Sequence, residues 1–379
     1  AAAPAREAAT PPAGAPAVAA ASRLCADGPA QGRRQISLSQ AIGQEPRSRG
    51  PRQTLQLYAC LPTPVRAGVH SLSDAQVSAT GFGRRVGVFG MEGKEWGRFR
   101  SPCGMAVDKT CLYIADTLNH RIQVFDRTRK EFQGVVQLPQ PAEDTLQDPS
   151  GLCTIGDGQL VVVQYGLDRV LSLQLRGRSL TAVGVKPLAP GQLYGPFGVG
   201  SSQGRIVVAD SCNHRCLLLS RCGQVCCSFG GRGSGPGEFE YPECLATFSD
   251  GFIAVSDKDN RRVQVFDPHG KFCNFVPADW EHHHLSVPAV DTEGTAAAPG
   301  TLCAPMGMVT DKHDRLYICD CGGNRVQIFT RTGQWLWSSD RALPASRCEF
   351  RSPTGIAVDE EGHIYVASDH CVQIFRPEA

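Results

Sequence analysis

One phrase returns six times along this chain. Its clear copies are SPCGMAVDKTCLYIADTLNHRIQVF, GPFGVGSSQGRIVVADSCNHRCLLL, YPECLATFSDGFIAVSDKDNRRVQVF, APMGMVTDKHDRLYICDCGGNRVQIF and SPTGIAVDEEGHIYVASDHCVQIF, with a weaker copy in DPSGLCTIGDGQLVVVQYGLDRVLSL. Between the anchor prolines Pro102, Pro149, Pro196, Pro242, Pro305 and Pro353 the intervals are 47, 47, 46, 63 and 48 residues. A short repeat cannot bury its own apolar face and must stack on its neighbours; roughly 40–50 residues is the length of a four-stranded propeller blade. The array therefore accounts for most of the 379 residues as one closed architecture rather than two or three unrelated domains.

Within each copy, runs such as GMAVD, LYIAD and RIQVF are rich in Val, Ile, Tyr and Phe and are separated by Asp, Asn and Gly, which reads as strands and turns. A fourth strand follows in EFQGVV, GQVCCSFG, KFCNFV and QWLWSSD. The last copy stops at VQIFRPEA and has none. Its counterpart lies at the other end of the array, where RRVGVFG, Arg84 to Gly90, leads into MEGKEWGRFRSP just as CSFG leads into GRGSGPGEFEYP. The expectation is an all-β, six-bladed propeller over residues 79–379, in which the N-terminal strand completes the sixth blade and leaves no sheet edge at the seam. The 63-residue interval places an insertion at 277–300, a loop bulging from one face.

The motifs P-x-G-I-A-V-D, I-Y-V-A-D and N-x-R-(I/V)-Q-V-F resemble the NHL-repeat family, and most resemble the NHL domain of tripartite-motif proteins. Five copies match strongly; the second has Gln164 and Leu167 where the others have Asp and Asn, and the sixth has a shorter turn without the Arg. The resemblance implies a binding scaffold that meets a protein or an RNA on one face of the disc, and a tie to ubiquitin ligases as the recognition end. Two other readings stay open. One is a regulator binding single-stranded RNA; the other is a metal-dependent channel enzyme, as in the amidating lyases and the lactonase-like propellers.

Composition narrows the partner classes. Residues 1–78 are Ala- and Pro-rich in their first part and poor in large apolar side chains, so they are expected to be mostly disordered. Up to residue 80 there are 8 Arg against 4 acidic residues; beyond it, 30 basic against 33 acidic, so the propeller has no global basic field for nucleic acid. No apolar run is long enough to span a bilayer, and a monomeric, cytoplasmic protein without membrane contact is expected. Seventeen cysteines are an odd number, and several replace Val, Ile or Ala of other copies, as Cys216 replaces Ile122; they read as buried thiols. Before the propeller only Cys25 and Cys60 occur, too few for the two zinc sites of a RING.

The residues that look chemical mostly recur. Asp116 and Arg121 stand five apart, as do Asp210 and Arg215, Asp257 and Arg262, and Asp320 and Arg325. An active site occurs once, so these are read as turn hardware, with Asp and Asn bonding local backbone and accepting left-handed geometry and Arg pairing with the Asp. The residue before the Arg varies (His120, Asp168, His214, Arg261, Asn324), which suits a contact surface on a fixed frame. Interblade loops add Trp96, Arg98, Arg100, Tyr194, Arg232, Tyr241 and Arg351, and Phe197 and Met306 follow anchor prolines at the channel mouth. Aromatic and basic groups so mixed serve protein hot spots or stack bases. His120, His214 and Arg261 join these as candidate partner contacts. Trp280, in the insertion, is a further one.

Metal and catalytic readings are weaker. Cys212, Cys216, Cys222 and Cys226 or Cys227 have no zinc-knuckle spacing, and His282, His283 and His284 are adjacent on one loop. The inner strands, taken as GMAVD, GLCTI, FGVGS, CLATF, GMVTD and GIAVD, hold no His, and their acids Asp108, Asp311 and Asp359 precede turns. No catalytic residue, metal or cofactor is expected.

Overall fold

A computed structural model describes residues 83–138, 146–156, 158–175, 182–189, 191–280, 298–342 and 350–376. All belong to one compact unit, Ile36–Ala379; the other unit, Ala1–Gln35, lies outside the described residues, as do the rest of 1–78 and His282 to His284.

The described strands form six antiparallel sheets of four. In the first blade β2 (Pro102–Val107), β3 (Cys111–Asp116), β4 (Arg121–Asp126) and β5 (Phe132–Val135) pair in that order. The other inner strands are β6 (Pro149–Ile155), β10 (Pro196–Ser202), β14 (Pro242–Thr247), β18 (Pro305–Thr310) and β22 (Pro353–Val358). The sixth blade continues with β23 (Ile364–Ser368) and β24 (Cys371–Arg376) and takes its outermost strand, β1 (Arg84–Phe89), from the start of the array. Register runs from Arg84 opposite Arg376 to Phe89 opposite Val372, as the sequence led us to expect. The seam has a second tie, because the Arg127 guanidinium of blade one reaches Glu361 of blade six at 2.8 Å.

Each anchor proline is the first residue of an inner strand, where its missing N–H costs no ladder bond. Directly after it the register slips by one residue: Pro102 faces Asp116, whereas Met105 faces Ile114, and all six inner strands repeat the bulge. A bulge re-aims the residue that it releases, which here lies within the first residues after the proline.

Middle strands are apolar without alternation because both of their faces are buried. Leu112 and Ile114 pack with Ala357, Tyr365 and Ala367 of blade six, while Tyr113 and Ala115 pack with Leu160 and Val162 of blade two. Successive residues thus enter alternate interblade cores. Outer strands keep one wet side, as β5 shows with Gln133 exposed between half-buried Phe132 and Gly134.

At the axis the inner strands meet backbone to backbone. Five carry glycine two residues after the proline, and a Cβ there would meet the next blade's carbonyl oxygen at 2.1 Å (Gly104), 2.6 Å (Gly151), 2.2 Å (Gly198), 2.5 Å (Gly307) and 1.7 Å (Gly355). The fourth blade carries Cys244 instead. No described helix is long and apolar enough to cross a membrane.

Candidate binding face

Inner strands begin at one face of the disc, and the loops that feed them share that face with the short turns joining second to third strands. In blade one, Leu118 N–H bonds the Arg100 carbonyl at 3.1 Å, fastening the turn to the loop. Cys212 to Tyr194 and Cys321 to Ala304 repeat the bond. The recurrent polar set builds this frame. Buried Asp257 accepts from the Glu240 backbone N–H (2.7 Å), Asn260 Nδ2 (2.9 Å), Arg262 Nε (2.7 Å) and Gln264 Nε2 (3.1 Å). Arg262, wholly buried, also donates to the carbonyls of Ser234, Gly235 and Glu238 in the preceding loop. Asp116 with Arg121, and Asp320 with Arg325, do the same in their blades, so the hardware reading holds. Burial pushes the Asp257 carboxyl upward, opposed by Arg262 and the N–H donors around it. The weak second blade substitutes neutral Gln164, which accepts from Arg169 Nε at 2.8 Å, and the sixth uses Ser368, bonded to the Arg351 backbone.

Left-handed geometry falls one residue later than expected. Asn119 keeps its amide on Asp116 and the Gly93 carbonyl, while His120 (φ 54°), Asp168 (50°), His214 (51°), Arg261 (55°) and Asn324 (51°) take positive φ. Four of these variable residues also strap one blade to the next. The residue just before the following proline donates its backbone N–H to them: Asp148 to His120 Nδ1 at 3.2 Å, Gly195 to Asp168 Oδ1 at 2.7 Å, Tyr241 to His214 Nδ1 at 3.3 Å and Ser352 to Asn324 Oδ1 at 2.8 Å. Variation there is confined to acceptors, with Arg261, which can only donate, as the exception.

At the centre of this face the axis opens into a cavity of about 50 Å³ lined by the first residues of all six inner strands, from Cys103 round to Ile356, with no His, Asp or Glu among the lining residues described. Its rim is apolar: Cys103 and Phe197, with Leu118, Tyr165, Cys244 and Met306 partly buried against them. Beside the rim stands a pair that the sequence reading missed. Glu243, the residue after Pro242, is buried and receives Lys258 Nζ on Oε1 at 2.8 Å. Glu243 holds the Lys258 ammonium above its ordinary pKa, against the cost of burial. The signal is present in the proline anchor: the strand begins at Pro242, two residues before the Cys244 at which the inner-strand run CLATF starts.

Among known proteins, the model of the NHL repeat matches residues 239–266 and 350–375, in blades four and six. This chain carries NHL repeats. The NHL propeller is 22% identical over 279 residues to the mouse E3 ubiquitin-protein ligase TRIM32, 26% over 149 residues to Protein brain tumor of Drosophila melanogaster, and 27% over 240 residues to peptidyl-glycine alpha-amidating monooxygenase B of Xenopus laevis. The alignments cover 69%, 38% and 60% of this chain but only 38%, 12% and 26% of those proteins, respectively. Solved structures with the same fold include a streptogramin B lyase (TM-score 0.51, 14% identity, 76% of this chain and 96% of that one) and a gluconolactonase from Xanthomonas campestris (0.51, 14%, 73% and 86%).

On the NHL propeller the expected contacts divide into two groups. Trp96 (63% exposed) and Tyr194 (55%) stand out from the loops, Trp96 stacked on Phe132 with the Arg121 guanidinium 5.0 Å from its ring. Arg232 and Arg351 are exposed as well, Arg232 held 3.2 Å from Glu240. Arg98 lies against Glu95, Arg100 is half-buried, and Tyr241 leans on His214 with ring centroids 4.7 Å apart. Phe197 and Met306 sit at the axial mouth as expected. Trp280 is a correction: it is buried over Arg262, 4.2 Å from guanidinium to ring, and donates to the Asn260 carbonyl, so it seals a blade rather than meeting a partner.

The opposite face holds turn acids. Asp108, Asp311 and Asp359 each accept N–H groups of their own turns and a tyrosine hydroxyl. Asp359, Glu361 and His363 approach metal-ligand spacing, but Arg127 occupies the carboxylates. The fourteen described cysteines are free thiols, and they are less uniformly buried than the sequence suggested: Cys222, Cys226 and Cys273 are exposed. Cys216 lies in the core while Cys222 is exposed on a turn, so these cysteines are spread between core and surface.

Proposed function

We propose that the NHL propeller is a binding scaffold that recognises a protein partner through the face carrying the interblade loops, as the recognition part of a ubiquitin-ligase-related protein. The observation that carries the reading is the pair of large aromatic side chains, Trp96 and Tyr194, left exposed on loops whose backbones are pinned by buried Asp–Arg pairs. Exposed aromatics on a preorganised frame lose little entropy on binding and make good anchors. Likeness to TRIM32 and Protein brain tumor supports a scaffold role. The amidating-enzyme likeness supports a channel enzyme less well, because the cavity on the axis is lined by thiols, hydroxyls and thioethers without imidazole among the described residues, and the carboxylate at its mouth, Glu243, is already paired with Lys258.

The test is affinity capture with purified chain. Trp96→Ala with Tyr194→Ala should abolish recovery of the bound partner, while Arg129→Ala with His313→Ala, on turns of the opposite face, should leave it unchanged. Equal recovery from both pairs would sink the assignment of the face. RNA is the second reading, supported by exposed Arg232 and Arg351 beside the aromatics; recovery that falls steeply with salt and vanishes after nuclease would favour it.

A further inference from the structure

At the axial mouth one carboxylate oxygen has nothing to accept from. Glu243 is 9% exposed, its Oε1 takes Lys258, and its Oε2 is buried without a hydrogen-bond partner. An ionised carboxylate can only accept, so Oε2 needs a donor. Hydroxyls around the mouth are spent on carbonyls: Thr117 Oγ1 donates to Pro149, Ser150 Oγ to Phe197, Ser211 Oγ to Pro242 and Thr354 Oγ1 to Pro102. The Tyr165 hydroxyl is engaged with the Cys212 thiol, and its ring joins Phe197, Met306, Leu118, Cys103 and Cys244 in an otherwise apolar collar. Glu243 follows the anchor Pro242 at the start of its inner strand, the place that Cys103, Phe197 and Met306 of the collar hold in theirs, which puts it at the axial mouth. Lys258 bonds Oε1, and Oε2 is left to accept from elsewhere.

We propose that this mouth is a socket for one basic side chain of the protein partner, a lysine or arginine, whose aliphatic stem lies within the collar of Phe197, Tyr165 and Met306 while its terminal N–H donates to Glu243 Oε2. A long flexible stem with a charged tip matches the shape, since such side chains bury their methylenes along apolar walls. A cationic donor is favoured over a neutral one because charge-assisted bonds are roughly twice as strong. This socket rests on the reading of the same face as a docking surface and adds the chemistry of what is recognised.

The chain has four methionines, Met91, Met105, Met306 and Met308, of which Met306 is on the collar and Met105 and Met308 line the cavity beneath. With methyl-labelled methionine in the 379-residue chain, n-butylguanidinium should shift the Met306 methyl resonance saturably and leave Met91 unmoved. Its neutral isostere n-butylurea should bind at least about fivefold more weakly, and Glu243→Gln should erase that difference. Equal affinity for the two probes in the wild-type chain would overturn the proposal without recourse to a variant, as would a Glu243→Gln protein that melts normally and keeps the preference. Loss of the socket alongside intact dependence of capture on Trp96 and Tyr194 retires the socket alone; loss of both retires the face.

Discussion

Replacing Gly355 by alanine puts a Cβ 1.7 Å from the carbonyl oxygen of Cys103, at the seam where blade six meets blade one. Ordinary contact begins near 3.4 Å, so the two inner strands must part by more than an ångström. Neither side can yield by turning a rotamer, because both clashing groups belong to strands held in four-stranded sheets. Overpacking costs typically about 1–3 kcal/mol, and a backbone-to-backbone clash belongs at the upper end; the lower chain entropy of alanine in the unfolded state returns under about 1 kcal/mol. A net loss of about 2–3 kcal/mol follows, or roughly 5 °C in Tm at about 2 °C per kcal/mol for a chain of this size. Gly231→Ala is the control, with nothing within 4 Å of the added carbon, and should change stability by no more than about 0.5 kcal/mol. Urea unfolding of the two variants beside wild type decides the matter. If Gly355→Ala unfolds together with Gly231→Ala, the inner strands are not in the close contact described.

Asp257→Ala should destabilise the protein by about 3–5 kcal/mol in the same unfolding assay, since it strands the buried Arg262 cation without its counterion; a loss below about 1 kcal/mol would contradict the pairing. Iodoacetamide on the native protein should label Cys222, Cys226 and Cys273 first, read by peptide mass mapping, while Cys216, Cys319 and Cys103, whose thiol burial pushes up to about 11, should label only in denaturant. Because Glu243 raises the folded-state pKa of Lys258, the pair's contribution is complete below lysine's unfolded value of about 10.4 and is lost as pH rises through the higher folded value. The stability gap between wild type and Glu243→Gln should therefore stay constant up to about pH 10 and narrow above it; a gap that widens there would reverse the assignment.

The blades were legible because a closed ring repeats one solution. Six prolines marked six inner strands, and the orphan strand at Arg84 answered the strand missing after Phe375. Asp–Arg spacing was legible as turn hardware for the same reason, since a buried ion pair that recurs with the period must serve the period. Harder to read were features that depend on what the next blade supplies. His120 looks like a varying surface residue until Asp148 is seen donating to it, and the restriction to acceptors shows only once the partner is known. Trp280 looked like a loop aromatic because sequence does not show the Arg262 guanidinium beneath it. Recurring Gln123, Gln264 and Gln327 carried a signal in their repetition, and each proves to bond the preceding loop carbonyl and the turn Asp. Glu243 is hidden when the inner strand is taken to start at Cys244, two residues after its first residue Pro242.

A photo-crosslinking amino acid placed in turn at Tyr194 and at Arg129 reports which face meets the partner. The expected result is a discrete, protease-sensitive and nuclease-resistant adduct from position 194 and none from position 129. An adduct from 129 alone, or equal adducts from both positions, would contradict recognition through the interblade-loop face.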